Sequence, residues 1–327
     1  MKLRILTSLA AVAVLAACQS EPTVEYEIQS VDAHRFAAIF EATEGTPTAD
    51  DLRAGYLDGA GRGVEIFTPH RIRDAQHLAS VIAARPELYR RGIDVCLPLA
   101  DDSNDELNRI YAGLKEIFPE ETLPDIHVVF GAGNSGGTAD ADAQVLGLEV
   151  ICAIEDNEAD IRARYRHMFA HETVHAFQVH SPAATEIDPL IAYSIREGFP
   201  DYIAWRVTGV APDAERDSWA QENADMLWRR FSEDRATLNA AIANGTPYAQ
   251  ASDEMQITMR NWYANYRAAP EGWPYEMGYW MGRQIVTAYM DNAEDEAEAI
   301  ATLLTFEDPL EILEQSGLAE LASQSPE

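Results

Sequence analysis

Apolar residues recur at Ile161, Tyr165, Met168, Phe169, Ala176 and Val179, the three- and four-residue steps of a helix. Val174 and Phe177 fall on its other side, which predicts a helix packed on both faces and ended by Ser181-Pro182. Asp188-Pro189 reads as an N-cap followed by proline at the first helical position, opening a second helical segment over Leu190–Val207. Upstream the pattern is mixed. It predicts a helix near Ala33–Glu41, a turn at Asp58–Gly61, helices near Arg73–Ala84 and Asn104–Phe118, and strands at Ile93–Leu97, Ile126–Phe130 and Val145–Ile154. Beyond Gly209 it predicts helices at Asp217–Phe231, Ala236–Ala243 and Asp253–Tyr266, a break at Pro270–Pro274, an aromatic helical stretch from Tyr275, and one or two helices after Asp291. The fold class is α+β, with a small mixed sheet in an N-terminal lobe (about 31–180) and a mainly helical C-terminal lobe (about 181–327).

The first residues stand apart. Lys2 and Arg4 precede an apolar run from Ile5 to Ala17, then Cys18. The run is too short for a bilayer span and has the shape of a secretory signal over residues 1–17. Leu15-Ala16-Ala17-Cys18 resembles a bacterial lipobox, which makes Cys18 the acylated first residue of an exported lipoprotein. Gln19 in place of Asp points to the outer membrane, facing the periplasm or the cell surface. Residues 18–30 read as a tether and 31–327 as one catalytic unit.

Charge narrows the partners. The chain carries 24 basic and 55 acidic residues, net −31, which argues against nucleic acid and anionic lipid. It suits a saline environment or a cationic substrate, or is simply a solvated acidic surface. Cys96 and Cys152 each lie in an apolar, strand-like run. In an exported protein they are either paired or two buried thiols. No C-x-x-C competes for a metal.

The candidate chemistry lies in His171-Glu172-Thr173-Val174-His175, an H-E-x-x-H. On a helix His171 and His175 share a face and can present two imidazoles to one cation. Glu172 is turned by about 100° and brings its carboxylate beside the open position of a bound zinc, placed to act as general base. The longer H-E-x-x-H-x-x-G-x-x-H pattern is excluded, because positions 178 and 181 are Gln178 and Ser181 and His180 is out of register by one. Glu197, on the second helical segment after a turn long enough to fold it back antiparallel, is the expected third ligand. Asp201, four residues on, is placed to accept the second N–H of a ligand histidine. Glu186 and Asp188 are rivals in the connecting turn.

With these residues, together with Tyr56-Leu57-Asp58-Gly59, Asn134-Ser135-Gly136-Gly137-Thr138, Arg196-Glu197-Gly198 and Gly278-Tyr279 in the same order, the chain resembles the gluzincin-type predicted zinc-dependent proteases that include lipoproteins related to gliding-motility lipoprotein B. The resemblance spans about Val31 to Met290. It implies a zincin-like fold, one zinc per chain and a peptide substrate. Pro200 departs from the family, which more often has a small residue there; proline predicts a kink, or a helix that begins near Phe199.

Gly131-Ala132-Gly133-Asn134-Ser135-Gly136 contains G-x-G-x-x-G after a strand. Thr138–Asp142 offers a polar turn instead of a helix, and no Lys precedes Thr138, so nucleotide binding is excluded. Following the zincin resemblance, Asn134, Ser135, Gly136 and Gly137 are candidate substrate contacts, with the next strand edging the cleft. Tyr275, Tyr279 and Arg283 stand at i, i+4 and i+8; facing the zinc, Tyr279 or Arg283 would stabilise an oxyanion, and the alternative is an aromatic stripe packed in the core. The expected function is a membrane-anchored zinc metallohydrolase, most simply a peptidase. The alternative is a non-catalytic zinc-containing envelope lipoprotein that acts in assembly or protein binding.

Overall fold

A computed structural model describes residues 25–323 except His180 and Arg267. The signal over 1–17, Cys18 and the start of the tether lie outside the described residues, as does His180. The described chain is mainly helical with one small mixed four-stranded sheet. The strands are β1 (Ile28–Gln29), β2 (Asp125–Val129), β3 (Gly137–Ala139) and β4 (Ala143–Gly147), in the order β1-β2-β4-β3. β1, β2 and β4 run parallel, with Ile28 opposite Ile126 and His127 opposite Val145. β3 runs antiparallel to β4, Thr138 opposite Val145, and is an edge of the sheet.

Two of the expected strands are helical. Gly92–Cys96 forms a wide π-turn that runs into a helix over Leu97–Asp101, and the run Val145–Ile154 is strand only to Gly147, then helix over Leu148–Ile154. Apolar runs this short are compatible with either a buried strand or a buried helix. Cys96 and Cys152, each on a helical segment, form a disulfide with Cα atoms 6.0 Å apart, closing a separation of 56 residues. The end of the tether is docked rather than free: the Tyr26 ring meets Tyr111 edge-on at 4.8 Å, and the Ile28 amide donates to Asn104 Oδ1 at 2.8 Å.

The motif helix spans Glu158–Phe177, opened by Asn157, whose side chain accepts from the Asp160 amide. Ile161, Tyr165, Met168 and Phe169 are buried on one side and Val174 and Phe177 on the other, as expected of a helix packed on both faces. It ends earlier than expected, at Phe177, with Gln178 as C-cap; Val179, beyond the end, is 64% exposed. The sheet grips this helix through Gln144 of β4, whose side chain donates to Thr173 Oγ1 at 2.7 Å and to the Phe169 carbonyl at 3.2 Å.

The Glu197 helix spans Pro189–Thr208, with Asp188 accepting from the Ile191 amide. Pro200 lies inside it, and the helix neither stops nor starts there. A long helix, Met277–Asn292, crosses it at backbone contact. A Cβ on Gly282 would stand 1.8 Å from the Ser194 carbonyl oxygen, and one on Gly198 would stand 2.1 Å from the Gly282 carbonyl carbon. Only glycine permits that approach, and the crossing brings Tyr279 over the motif helix. The remaining C-terminal helices run Ala214–Glu222, Ala224–Ala243 and Asp253–Arg260, so the expected break near residues 232–235 is instead at Asn223. Glu296–Thr305 and Pro309–Gln315 pack the tail.

Candidate metal centre

His171 and His175, one turn apart, turn their Nε2 atoms toward each other at 3.1 Å. Glu197 Oε2 completes the triangle, 3.0 Å from His175 Nε2 and 3.6 Å from His171 Nε2. Ligands held at about 2.1 Å around a tetrahedral zinc lie about 3.4 Å from one another, so the spacing fits. The tautomers fit too. His171 Nδ1 meets Asp201 Oδ1 at 2.9 Å and His175 Nδ1 meets Gln178 Oε1 at 2.7 Å. Both acceptors place the hydrogen on Nδ1 and leave the Nε2 lone pairs for a cation. Asp188, a rival third ligand, is the helix cap and pairs with Arg235 at 2.6 Å, while Glu186 accepts from the Tyr248 amide.

The electrostatics favour a cation at the same point. Burial opposes the charge of Glu197, yet His175 and His171 hold its pKa well below the ordinary value. Burial likewise opposes charge on Asp201, and His171, His167 and Arg216 outweigh it and lower the pKa. Burial works against a charged His171 as well, but hydrogen bonds to Asp201 and Glu197 and the nearby carboxylates raise it to about 10. Zinc entering here would displace that proton. His167, His171 and Asp201 also lie close enough for a metal. There, however, Arg216 Nη2 already sits 3.1 Å from Asp201 Oδ2, so the positive charge is supplied and burial drives His167 toward its neutral form.

Pro200 takes part in the geometry. Lacking an N–H, it cannot donate to the Arg196 carbonyl four residues back. Gln178 Nε2 donates to that carbonyl instead, at 3.0 Å, while its Oε1 accepts from His175. The carbonyl freed by proline thus fixes the amide that orients His175. Gln178→Ala should weaken zinc affinity by about 10- to 100-fold, measured by chelator competition; an unchanged affinity would show that His175 needs no such support.

Glu172 is half-buried beside the two histidines and opposite β3: a Cβ on Gly137 would stand 2.9 Å from Glu172 Oε1. A cavity of about 310 Å³ opens here, lined by Gly137–Ala139, His171, His175, Glu197, Glu172, Tyr193, Arg196 and Tyr279. Its far wall is apolar, with Leu303, Leu304 and Phe306. A second cavity meets it at Glu172 and is lined by Asn134, Ser135 and Gly136. The strand edging the cleft is therefore β3, inside the Gly-rich connection, and not the strand after it, which lies between β2 and β3.

Tyr279 stacks on His171 with ring centroids 5.7 Å apart. Burial, with Glu197, Glu276, Glu172 and Asp201 around it, raises its pKa well above the ordinary phenol value, so it stays a donor. Arg283 is elsewhere: it is buried against Asp217 and lines neither cavity. Tyr275 precedes the helix, which starts at Met277 after Glu276 in the left-handed region (φ 57°), so the three residues do not share a helix face. Arg216 and Gln178 have no signature in the sequence, although Gln178 at three residues past His175 is in reach of it. No known protein family, no curated protein and no solved structure matches this chain.

Proposed function

We propose that the protein is a zinc-dependent peptidase, exported and held to a membrane by lipid on Cys18. The observation that carries the reading is the meeting of three ligand atoms with both histidine tautomers set by Asp201 and Gln178, and with Glu172 alongside as a fourth group free of ligation. A purely structural zinc takes four protein ligands and needs no such base. Bound zinc supplies a Lewis acid and brings the pKa of water to about 7.

The chain's residues supply the rest. The outer edge of β3 accepts an extended peptide as an added strand, laying a carbonyl between Glu172 and Tyr279. Glu172 takes the proton of the attacking water and hands it to the departing amine. Tyr279 donates to the oxygen on which charge develops. The full chain should bind about one zinc and cleave peptides, losing activity to a chelator and regaining it with zinc. His175→Ala and Glu197→Ala should lose the metal; full zinc retention in both variants would sink the assignment.

A further inference from the structure

Resting on the peptidase reading, we infer that the cleft selects peptides carrying a carboxylate next to the bond to be cut, and that Arg71 reads it. Arg71 lies on the short helical turn Thr68–Ile72 and lines both cavities where they meet at Glu172. Its guanidinium touches only neutral groups by hydrogen bonding: Nη2 donates to Thr138 Oγ1 at 2.8 Å and Nε to Ser135 Oγ at 3.3 Å. The Phe67 ring lies beneath it, 5.6 Å from Cζ. Among the described residues no carboxylate is within ion-pair distance of it, and Glu172, which favours its charge, leaves its fork unfilled. Arg85, across the Gly-rich connection against Gly133, lines the second cavity and is also without an ion pair among the described residues.

The chain has more than twice as many acidic as basic residues, yet none of its carboxylates closes on this fork. Several arginines find carboxylates, Arg62 on Asp140 and Asp142, Arg164 on Glu155 and Arg235 on Asp188, whereas Arg91 fills its fork with the Cys152 and Glu155 carbonyls. A half-buried guanidinium keeps such isolation at a cost unless an anion completes it, and a carboxylate fits its planar fork with two parallel hydrogen bonds. Position fixes which anion. Thr138, which Arg71 holds, is the residue after Gly137, the one facing Glu172. An extended peptide on β3 therefore passes Arg71 about one residue from the reacting carbonyl. A cationic substrate is one of the readings that the net acidic charge allows; the arginines lining this end of the cleft point the other way.

The carboxylate could be a Glu or Asp side chain or a free C-terminus, and paired peptides separate the sources. The full chain loaded with zinc is given Glu/Gln pairs on either side of the scissile bond, and free-acid/amide pairs of one short peptide. Binding of the same pairs is measured on Glu172→Gln. Wild type should favour one carboxylate form by about 10- to 100-fold, chiefly in KM, and Arg71→Ala should erase that preference while the neutral peptides change little; Arg71→Lys should keep part of it. Discrimination in binding without hydrolysis of any peptide would uphold the carboxylate site and overturn the peptidase reading. No preference in wild type, or an Arg71→Ala loss equal for acidic and neutral peptides at unchanged melting temperature, would overturn the inference and leave Arg71 as the support of β3.

Discussion

Glu172→Gln should bind zinc like the wild type, melt at the same temperature, and hydrolyse peptides at least about 10²-fold more slowly. The three-part outcome follows from where Glu172 stands. It is half-buried on the motif helix, next in sequence to a ligand but not part of the ligand triangle, which is closed by His171, His175 and Glu197. Gln keeps the shape and one acceptor oxygen, so packing against Gly137 survives. What it loses is basicity, and proton transfer alone is worth about 10²–10⁴ in rate. A Glu172→Gln protein that restored every phenotype of a deletion strain, beside a wild type that cleaves no peptide in a broad library, would leave the zinc-holding lipoprotein as the better account.

The parts of this site readable from sequence are those whose physics is local. Two histidines at helical spacing share a face whatever surrounds them, and Asp188-Pro189 starts a helix by its own hydrogen bond and fixed φ. Glu197 and Asp201, four apart on that second helix, arrive together for the same reason. The misread parts depend on tertiary surroundings. Leu148–Ile154 is nearly as apolar as a buried strand, yet it is helix directly from Gly147, and its one carboxylate, Glu149, is buried where it accepts from the Gly131 and Gly133 amides. Arg283 shares a helix with Tyr279 but stands one turn further on, where it pairs with Asp217 and lines neither cavity, while Tyr275 drops out of the stripe because Glu276 takes a left-handed conformation before the helix begins. Pro200 read as a liability for Glu197. It could be judged only with Gln178 in view, since the carbonyl it leaves bare is the one Gln178 uses.

Asp201→Ala should be the most damaging change to a residue that touches neither metal nor substrate. Asp201 is fully buried and serves three partners: Oδ1 holds His171 Nδ1 at 2.9 Å with His167 Nε2 at 3.4 Å, and Oδ2 holds Arg216 Nη2 at 3.1 Å. Removing it strands a buried guanidinium, for which the expected loss is about 3 kcal/mol, the lower end for a broken buried pair, because Asp213 and Asp217 remain near Arg216. It also frees His171 to turn, which should weaken zinc by about 10- to 100-fold. The pH dependence separates the effects in zinc-free protein. Asp201 has a lowered pKa, so its contribution is present above the ordinary aspartate value of about 3.9 and is lost as pH falls toward its folded value. His171 has a raised pKa, so its contribution is complete below about 6.5 and is lost as pH rises through about 10. In Asp201→Ala both should shrink, lowering the plateau of melting temperature between about pH 3.9 and 6.5 and flattening its acid and alkaline flanks. Adding Arg216→Met should return most of the stability, since the stranded charge is gone, and none of the zinc affinity. If the double variant regains both, Asp201 serves only to neutralise Arg216 and His171 needs no partner to bind metal.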